Sequence, residues 1–193
     1  MRPLFILVVA VIYCSSTVQS QDKKFIHEQR VKAAHIPAHI IDKMEPYIDK
    51  ARNSRYYKDQ AGQHAVYICD FKLFENHYRV AFTSEGEFHA ITQQSLFQEL
   101  PLRSQNNINN YLNRFDKFKI KNVKKRFAHN SLSGEQLFAS IKNKRLAEPE
   151  KYELLAKVKT RQGWKVYKMI FKNTGQLESK REILCQPEGK FFY

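Results

Sequence analysis

The stretch YICDFKLFENHYRVAF, residues 67–82, decides the fold. Apolar side chains occupy every second position on both sides of a short polar stretch: Tyr67, Cys69, Phe71 and Leu73 before Glu75-Asn76-His77, and Tyr78, Val80 and Phe82 after it. Successive side chains of a strand point to opposite faces. The pattern therefore predicts an antiparallel hairpin with one face in a core.

The same order of elements occurs twice. Pro37 and Pro101 each open a segment with helical apolar periodicity, and proline suits the first turn of a helix. A hairpin follows each helix, and the closing motifs match: Tyr78-x-Val80-x-Phe82-x3-Gly86-x-Phe88 against Tyr167-x-Met169-x-Phe171-x3-Gly175-x-Leu177. Each glycine stands where a tight turn would need a positive φ.

These repeats predict the fold class. We expect an α+β chain of two tandem repeats, each a helix packed on a small antiparallel β-sheet, with a helical insertion in the second repeat at about residues 124–149. Within the insertion, Ser133-Gly134-Glu135-Gln136 is typical of a helix start. The predicted organisation is a signal peptide at 1–20, an N-terminal lead-in at 21–35, a first repeat at 36–95 and a second repeat at 96–193.

The N-terminus indicates export. Arg2 precedes an apolar run from Leu4 to Tyr13, and Val18 and Ser20 are small enough for a cleavage site before Gln21. The run is too short to span a bilayer, which takes about 20 apolar residues. We expect a periplasmic or extracellular chain with no integral membrane span after processing; a retained anchor and a lipid anchor on Cys14 are the alternatives.

Export places Cys69 and Cys185 in an oxidising space, where they could form a disulfide. The alternative is two separately buried thiols, because Cys69 lies in an alternating apolar strand.

Composition and motifs argue against an enzyme. The 193 residues include 42% hydrophobic residues and only 6 Gly and 6 Pro, as in a folded chain rather than a disordered or fibrous one. The sequence contains no Gly-x-Ser-x-Gly elbow, phosphate loop, dinucleotide glycine pattern, Cys-x-x-Cys or His-Glu-x-x-His. We therefore expect no catalytic residues, no cofactor and no metal site.

Positive charge is the strongest polar signal. The chain has 33 Lys+Arg against 19 Asp+Glu, and residues 114–145 are especially basic. The candidates for binding a polyanion are Lys117, Lys119, Lys121, Lys124, Lys125 and Arg126, with the first three expected on one strand face opposite Phe118 and Ile120. The alternative is a solvated edge strand that its lysines protect from further pairing.

The paired motifs resemble a known family. Pro37, Tyr67, Tyr78-x-Val80-x-Phe82-x3-Gly86 and their second set, Pro101, Tyr152 and Tyr167-x-Met169-x-Phe171-x3-Gly175, are similar to the beta-lactamase-inhibitor-like, PepSY-like family of exported bacterial proteins, which often carry two copies. The resemblance implies a helix on an antiparallel sheet in each copy and a binding role. The insertion, the basic charge and Pro46 in the first helix depart from that pattern.

The expected function is that of an exported, non-enzymatic binding protein. The resemblance implies a protein-binding or inhibitor-like module that meets an extracytoplasmic protein through its sheet surface. The alternative is a basic protein that binds nucleic acid, lipopolysaccharide or an acidic glycan through residues 114–145.

Overall fold

Nine antiparallel strands form one sheet in this computed structural model, which describes residues 28–61, 64–128, 133–143 and 148–183. The strands pair in chain order: β1 (Glu28–Val31), β2 (Arg52–Ala61), β3 (His64–Leu73), β4 (Asn76–Thr83), β5 (Phe88–Ser95), β6 (Phe118–Phe127), β7 (Lys151–Thr160), β8 (Gly163–Lys172) and β9 (Leu177–Ile183). The helices are α1 (Ala38–Ile48), α2 (Leu102–Leu112) and α3 (Gly134–Lys142), with short 3-10 turns at Ala33–His35 and Phe97–Glu99.

The expected fold class, two tandem repeats each with a helix on its own small sheet, is wrong. β5 pairs with β6 over five residue pairs, from Ile91–Phe127 to Ser95–Val123, so the strands form a single sheet. Two small sheets would expose four strand edges, and this pairing removes two of them. Alternation in the sequence indicates strands but not which sheet they join.

The inserted helix α3 also lies elsewhere than expected. Its residues Leu137, Phe138 and Ile141 belong to the core beneath α1, not to the core beneath α2. The Phe138 ring lies 5.3 Å from the Tyr47 ring, 5.3 Å from Tyr78 and 5.9 Å from Phe71. Helix α3, which is inserted within the expected second repeat, thus completes the core of the first half of the molecule.

Both cores lie on the same side of the sheet. Val123 belongs to the core under α2, Phe127 belongs to the core under α1 and α3, and the two side chains are four residues apart on β6. Side chains separated by an even number of residues share a strand face. The three helices therefore cover one face, which we call the helix face, and we call the opposite one the open face.

The hairpin predicted for residues 67–82 is confirmed, and its turn is tighter than expected. Leu73 pairs with Asn76, so the turn consists of Phe74 and Glu75, and Phe74 has a φ of 53°. The predicted glycine turns are confirmed too, with φ of 80° at Gly86 and 82° at Gly175.

The predicted segment boundaries fall partly outside the described residues. The signal peptide, 1–20, lies wholly outside them, and β1 lies within the predicted lead-in, 21–35. No helix in the described part of the chain has the length and apolarity to cross a bilayer.

Helix α2 is held against the β8–β9 turn at Gly175. The Ser104 hydroxyl, on α2, donates to the Asn173 carbonyl at 2.6 Å, and the Asn107 amide donates to the Thr174 carbonyl at 2.8 Å. A Cβ on Gly175 would lie 2.6 Å from the Ser104 carbonyl oxygen, which is backbone and cannot rotate away. The glycine thus allows both the turn and the close approach of the helix.

Replacing Gly175 with alanine should destabilise the fold more than the matched change at Gly86. Both glycines have nearly the same φ, so the left-handed penalty of about 1 kcal/mol is common to both. A Cβ at Gly86 meets the His39 side chain at 3.2 Å, which can move. Urea unfolding should show Gly175→Ala to cost about 1–3 kcal/mol more than Gly86→Ala. Equal losses would contradict the helix–turn contact.

Candidate functional site

The open face is concave at the β1 end of the sheet. Glu28 on β1 places its Oε2 2.7 Å from Nη2 of Arg79 on β4. In a flat sheet these strands would be three spacings of about 4.8 Å apart, which is too far for the two side chains to touch. The contact therefore requires the sheet to curve towards the open face.

Arg79 is at the centre of a half-buried charge cluster. Its Nε lies 3.6 Å from Oδ2 of Asp70 on β3, and its guanidinium stacks over the Tyr57 ring at 5.4 Å. Burial raises the pKa of Asp70 although Arg79 opposes that shift. The charges are thus partly desolvated, which strengthens their interactions.

A second cluster surrounds Glu153, near the start of β7. Its carboxylate lies 2.8 Å from the Lys168 ammonium and 3.9 Å from Nη1 of Arg126. Burial acts to raise the pKa of Glu153, but the surrounding cations, Lys168 first among them, hold that pKa below its usual range. The carboxylate is therefore ionised and stabilised by charge pairing.

Lys124 lies between the two clusters. Its pKa is lowered by burial and by the nearby positive charge of Arg79, with Glu153 opposing the shift. Together with Arg55, Lys72 and Arg79 it lines a pocket of about 290 Å³ on the open face. The pocket contains one carboxylate, Asp70, so its lining carries excess positive charge.

Cations outnumber acids across the whole open face. Strand alternation places there Arg30, Arg55, Lys72, Arg79, Lys119, Lys124, Arg126, Lys151, Lys157, Lys159, Lys168, Lys172 and Arg181. The acids on this face are Glu28, Asp59, Asp70, Glu153 and Glu178. The face thus has a positive potential that attracts acidic partners.

Apolar side chains interrupt this charge. Ile68 and Ala90 are nearly inaccessible at the floor of the concave end, 8% and 4% exposed. Towards β9 the face carries Leu155, Val166 and Ile170, and Trp164 is 48% exposed with the Lys157 ammonium 5.2 Å above its ring. The open face therefore combines charge with aromatic and aliphatic area.

The predicted polyanion-binding residues do not form one continuous stripe. The β6–β7 register shifts between Ile120 and Asn122, which makes Lys121 the extra residue of a bulge. Lys119, Lys124 and Arg126 lie on the open face, whereas Lys125 lies on the helix face and Lys117 precedes the strand. The polyanion assignment of this set stays a prediction.

Cys69 is fully buried in the core beneath α1, and burial raises the pKa of its thiol to about 12. Cys185 lies outside the described residues, so the predicted disulfide stays a prediction. Within the described ranges no group of three or more His, Cys, Asp or Glu side chains could hold a metal ion.

Sequence reasoning missed the two charge clusters, although a signal for each was present. Asp70 and Glu153 are lone acids within strands whose alternate positions are apolar. Such a position faces away from the core and needs a cross-strand partner. Asp70 pairs directly with Arg79, which follows from the hairpin register once the turn is placed at residues 74–75.

No family model and no curated protein matches this chain. Solved structures do. A candidate periplasmic protein of Bacteroides eggerthii is 15% identical with a TM-score of 0.52, over 77% of this chain and 89% of that chain. A DUF2874 family protein of Bacteroides ovatus is 13% identical with a TM-score of 0.53, over 76% and 86%. A BLIP-like protein of Bacteroides fragilis is 13% identical with a TM-score of 0.48, over 80% and 92%.

At these identities the similarity is one of fold. The chain thus shares the fold of these Bacteroides proteins, one of which is described as a candidate periplasmic protein. The PepSY-like part of the resemblance drawn from the sequence stays a prediction, whereas two copies with separate sheets are replaced by the single sheet described above.

Glu153→Gln should destabilise the protein at neutral pH, because the substitution leaves Lys168, Arg126 and Lys124 without their shared carboxylate. We expect a loss of about 3 kcal/mol at pH 7 in urea unfolding. Since the folded pKa of Glu153 is depressed, its contribution is present above the unfolded value of about 4.3 and is lost as the pH falls through the folded value. The difference between the two proteins should therefore shrink towards pH 3.

Glu75→Gln is the matched control. Glu75 pairs with Lys72 at 3.4 Å but its side chain is 94% exposed, so the loss should stay below about 0.5 kcal/mol at every pH. A loss for Glu153→Gln that does not change between pH 7 and pH 3 would contradict the ionised network.

Proposed function

We propose that this chain is an extracytoplasmic, non-enzymatic binding protein whose open face docks an acidic surface of a partner protein. The observation that carries the proposal is the composition of the open face, which is concave at its β1 end, rich in cations and interrupted by aliphatic and aromatic side chains. No helix of the described residues covers it. Complementary charge guides encounter and fixes orientation, and buried aromatic and arginine side chains supply affinity.

Two observations support the extracytoplasmic location. The N-terminal run from Leu4 to Tyr13 has the layout of a signal peptide, and the fold is shared with a candidate periplasmic protein. Neither depends on the identity of the partner.

The open face favours a protein over a polyanion. Its most buried cation, Arg79, is already paired with Glu28 and Asp70, and Glu153 is shared among three cations. A polyanion groove would present unpaired cations along a continuous track. Trp164, Tyr57 and Arg79 belong instead to the residue types that dominate protein interfaces. For this chain to act as an inhibitor, the acidic surface that it docks would have to surround the active site of the partner.

The test is capture by the immobilised exported chain, residues 21–193, from envelope and secreted fractions of the producing cells. The variant Lys157→Glu/Lys159→Glu reverses two charges beside Trp164 on the open face. The control Lys43→Glu/Arg103→Glu makes the same change in net charge on exposed positions of α1 and α2. The affinity for the captured protein should fall about tenfold in the open-face variant and stay unchanged in the control.

The wash conditions separate the two classes of partner. A protein interface with an apolar centre should survive high salt, whereas a polyanion neutralising several cations should elute steeply as salt rises. Elution of nucleic acid, lipopolysaccharide or acidic glycan with salt would replace the proposal by the polyanion alternative. Equal loss in both charge variants would also refute the open face as the docking surface.

A further inference from the structure

A short stretch of β6 has an edge inside the sheet with which no described strand pairs. The pairing of β5 with β6 ends at Ser95–Val123, where the chain leaves β5 towards α2. β6 nevertheless begins five residues earlier, at Phe118, and residues 118–122 pair with β7 alone. In a strand, every second residue directs its N–H and C=O towards each neighbour. The β5 side of this stretch therefore presents backbone groups to a strand position that no described residue occupies.

A slot of about 450 Å³ lies at this edge, and we call it the seam slot. It is lined by residues 94–98, Asn109, Phe118 and residues 120–123. One wall is β6 and the other is the segment that leaves β5, where Leu96 is 65% exposed. Beyond the Ser95–Val123 pair, which closes one end of the slot, no backbone hydrogen bond among the described residues joins residues 96–98 to residues 118–122. The slot thus combines a strand edge with apolar side chains, a combination that suits an extended segment.

Asn122 adds an independent sign of a missing partner. Its side-chain Oδ1 is buried and has no hydrogen-bond donor within the described structure. A buried amide oxygen without a donor is costly, and such atoms normally have a partner. Asn122 lines the seam slot, so a bound peptide N–H or side-chain donor could supply that hydrogen bond.

The charge at the slot is positive. Lys117, Lys119 and Lys121 are exposed on or beside the free stretch, and no carboxylate lines the slot. Glu99 lies at the rim but is already bound by the Ser95 hydroxyl at 2.7 Å and the Leu96 N–H at 3.2 Å. The complement to this surface is an extended segment whose apolar side chains alternate with acidic ones.

We propose that the seam slot binds such an acidic extended segment of a partner protein, which adds to β6 as a strand. Main-chain hydrogen bonds to residues 118–122 give affinity, and the apolar wall at Leu96 and Phe97 gives specificity. The lysines do not block this mode, because strand side chains project from the faces and leave the edge open. The inference does not require that the open face bind a protein.

The probe is a fluorescein-labelled, end-blocked peptide of eight residues in which glutamate alternates with valine, titrated with the exported chain, residues 21–193, at 150 mM salt. Binding should be saturable by fluorescence anisotropy and should slow hydrogen exchange at amides within residues 118–122. The same peptide with every second backbone nitrogen methylated should bind at least about tenfold more weakly, since it lacks donors for the strand edge.

Matched variants locate the site. Leu96→Glu places a like charge on the apolar wall and should weaken binding at least about tenfold, whereas Leu102→Glu, at a leucine 71% exposed on α2 and outside the slot, should change it less than about threefold. Lys157→Glu/Lys159→Glu, on the open face, should also change it less than about threefold, which separates this site from the proposed docking surface. The inference is overturned if no saturable binding occurs, if the methylated peptide binds equally, or if Leu102→Glu weakens binding as much as Leu96→Glu.

Discussion

Five residue pairs between β5 and β6, from Ile91–Phe127 to Ser95–Val123, join the two halves of the molecule. Because of this pairing, Phe127 reaches the core under α1 while Val123, on the same strand face, reaches the core under α2. All three helices must then lie on one side of the sheet. The open face follows as a consequence, continuous from β1 to β9 with no helix among the described residues to cover it.

The electrostatics of the open face follow from its position opposite the cores. Every second residue of each strand faces away from the cores and is freed from packing, and the basic composition of the chain fills many of these positions with lysine and arginine. Where the sheet curves, these cations approach one another, and the half-buried carboxylates of Glu28, Asp70 and Glu153 offset their repulsion. The remaining cations are not offset, so the face retains a positive potential while the strands below it remain stable.

Local features of the fold could be predicted from the sequence, and long-range ones could not. The hairpin of residues 67–82 and the glycine turns at Gly86 and Gly175 follow from alternation and backbone conformation, which depend on neighbouring residues. The joining of the halves depends on Ile91 meeting Phe127 across 35 intervening positions, and no local pattern encodes a strand's partner. The bulge at Lys121 lies between these cases. Apolar positions step by two from Phe118 to Ile120 and then by three to Val123, a change of parity that is visible in the sequence.

The bulge connects the basic segment with the candidate sites. In a regular strand, Lys124 and Arg126 would lie on the same face as Phe118 and Ile120, which is the helix face. The bulge reverses this alternation, so that Lys124 and Arg126 join the charge clusters of the open face and Lys125 is directed to the helix face. The same irregularity lies within the stretch that β5 leaves unpaired, where no described residue donates a hydrogen bond to Oδ1 of Asn122. Gln94 lines both the basic pocket and the seam slot, so the two sites adjoin at the end of β5. A single acidic partner that inserted a strand at the seam would therefore bring its flanking residues beside the cations of the open face.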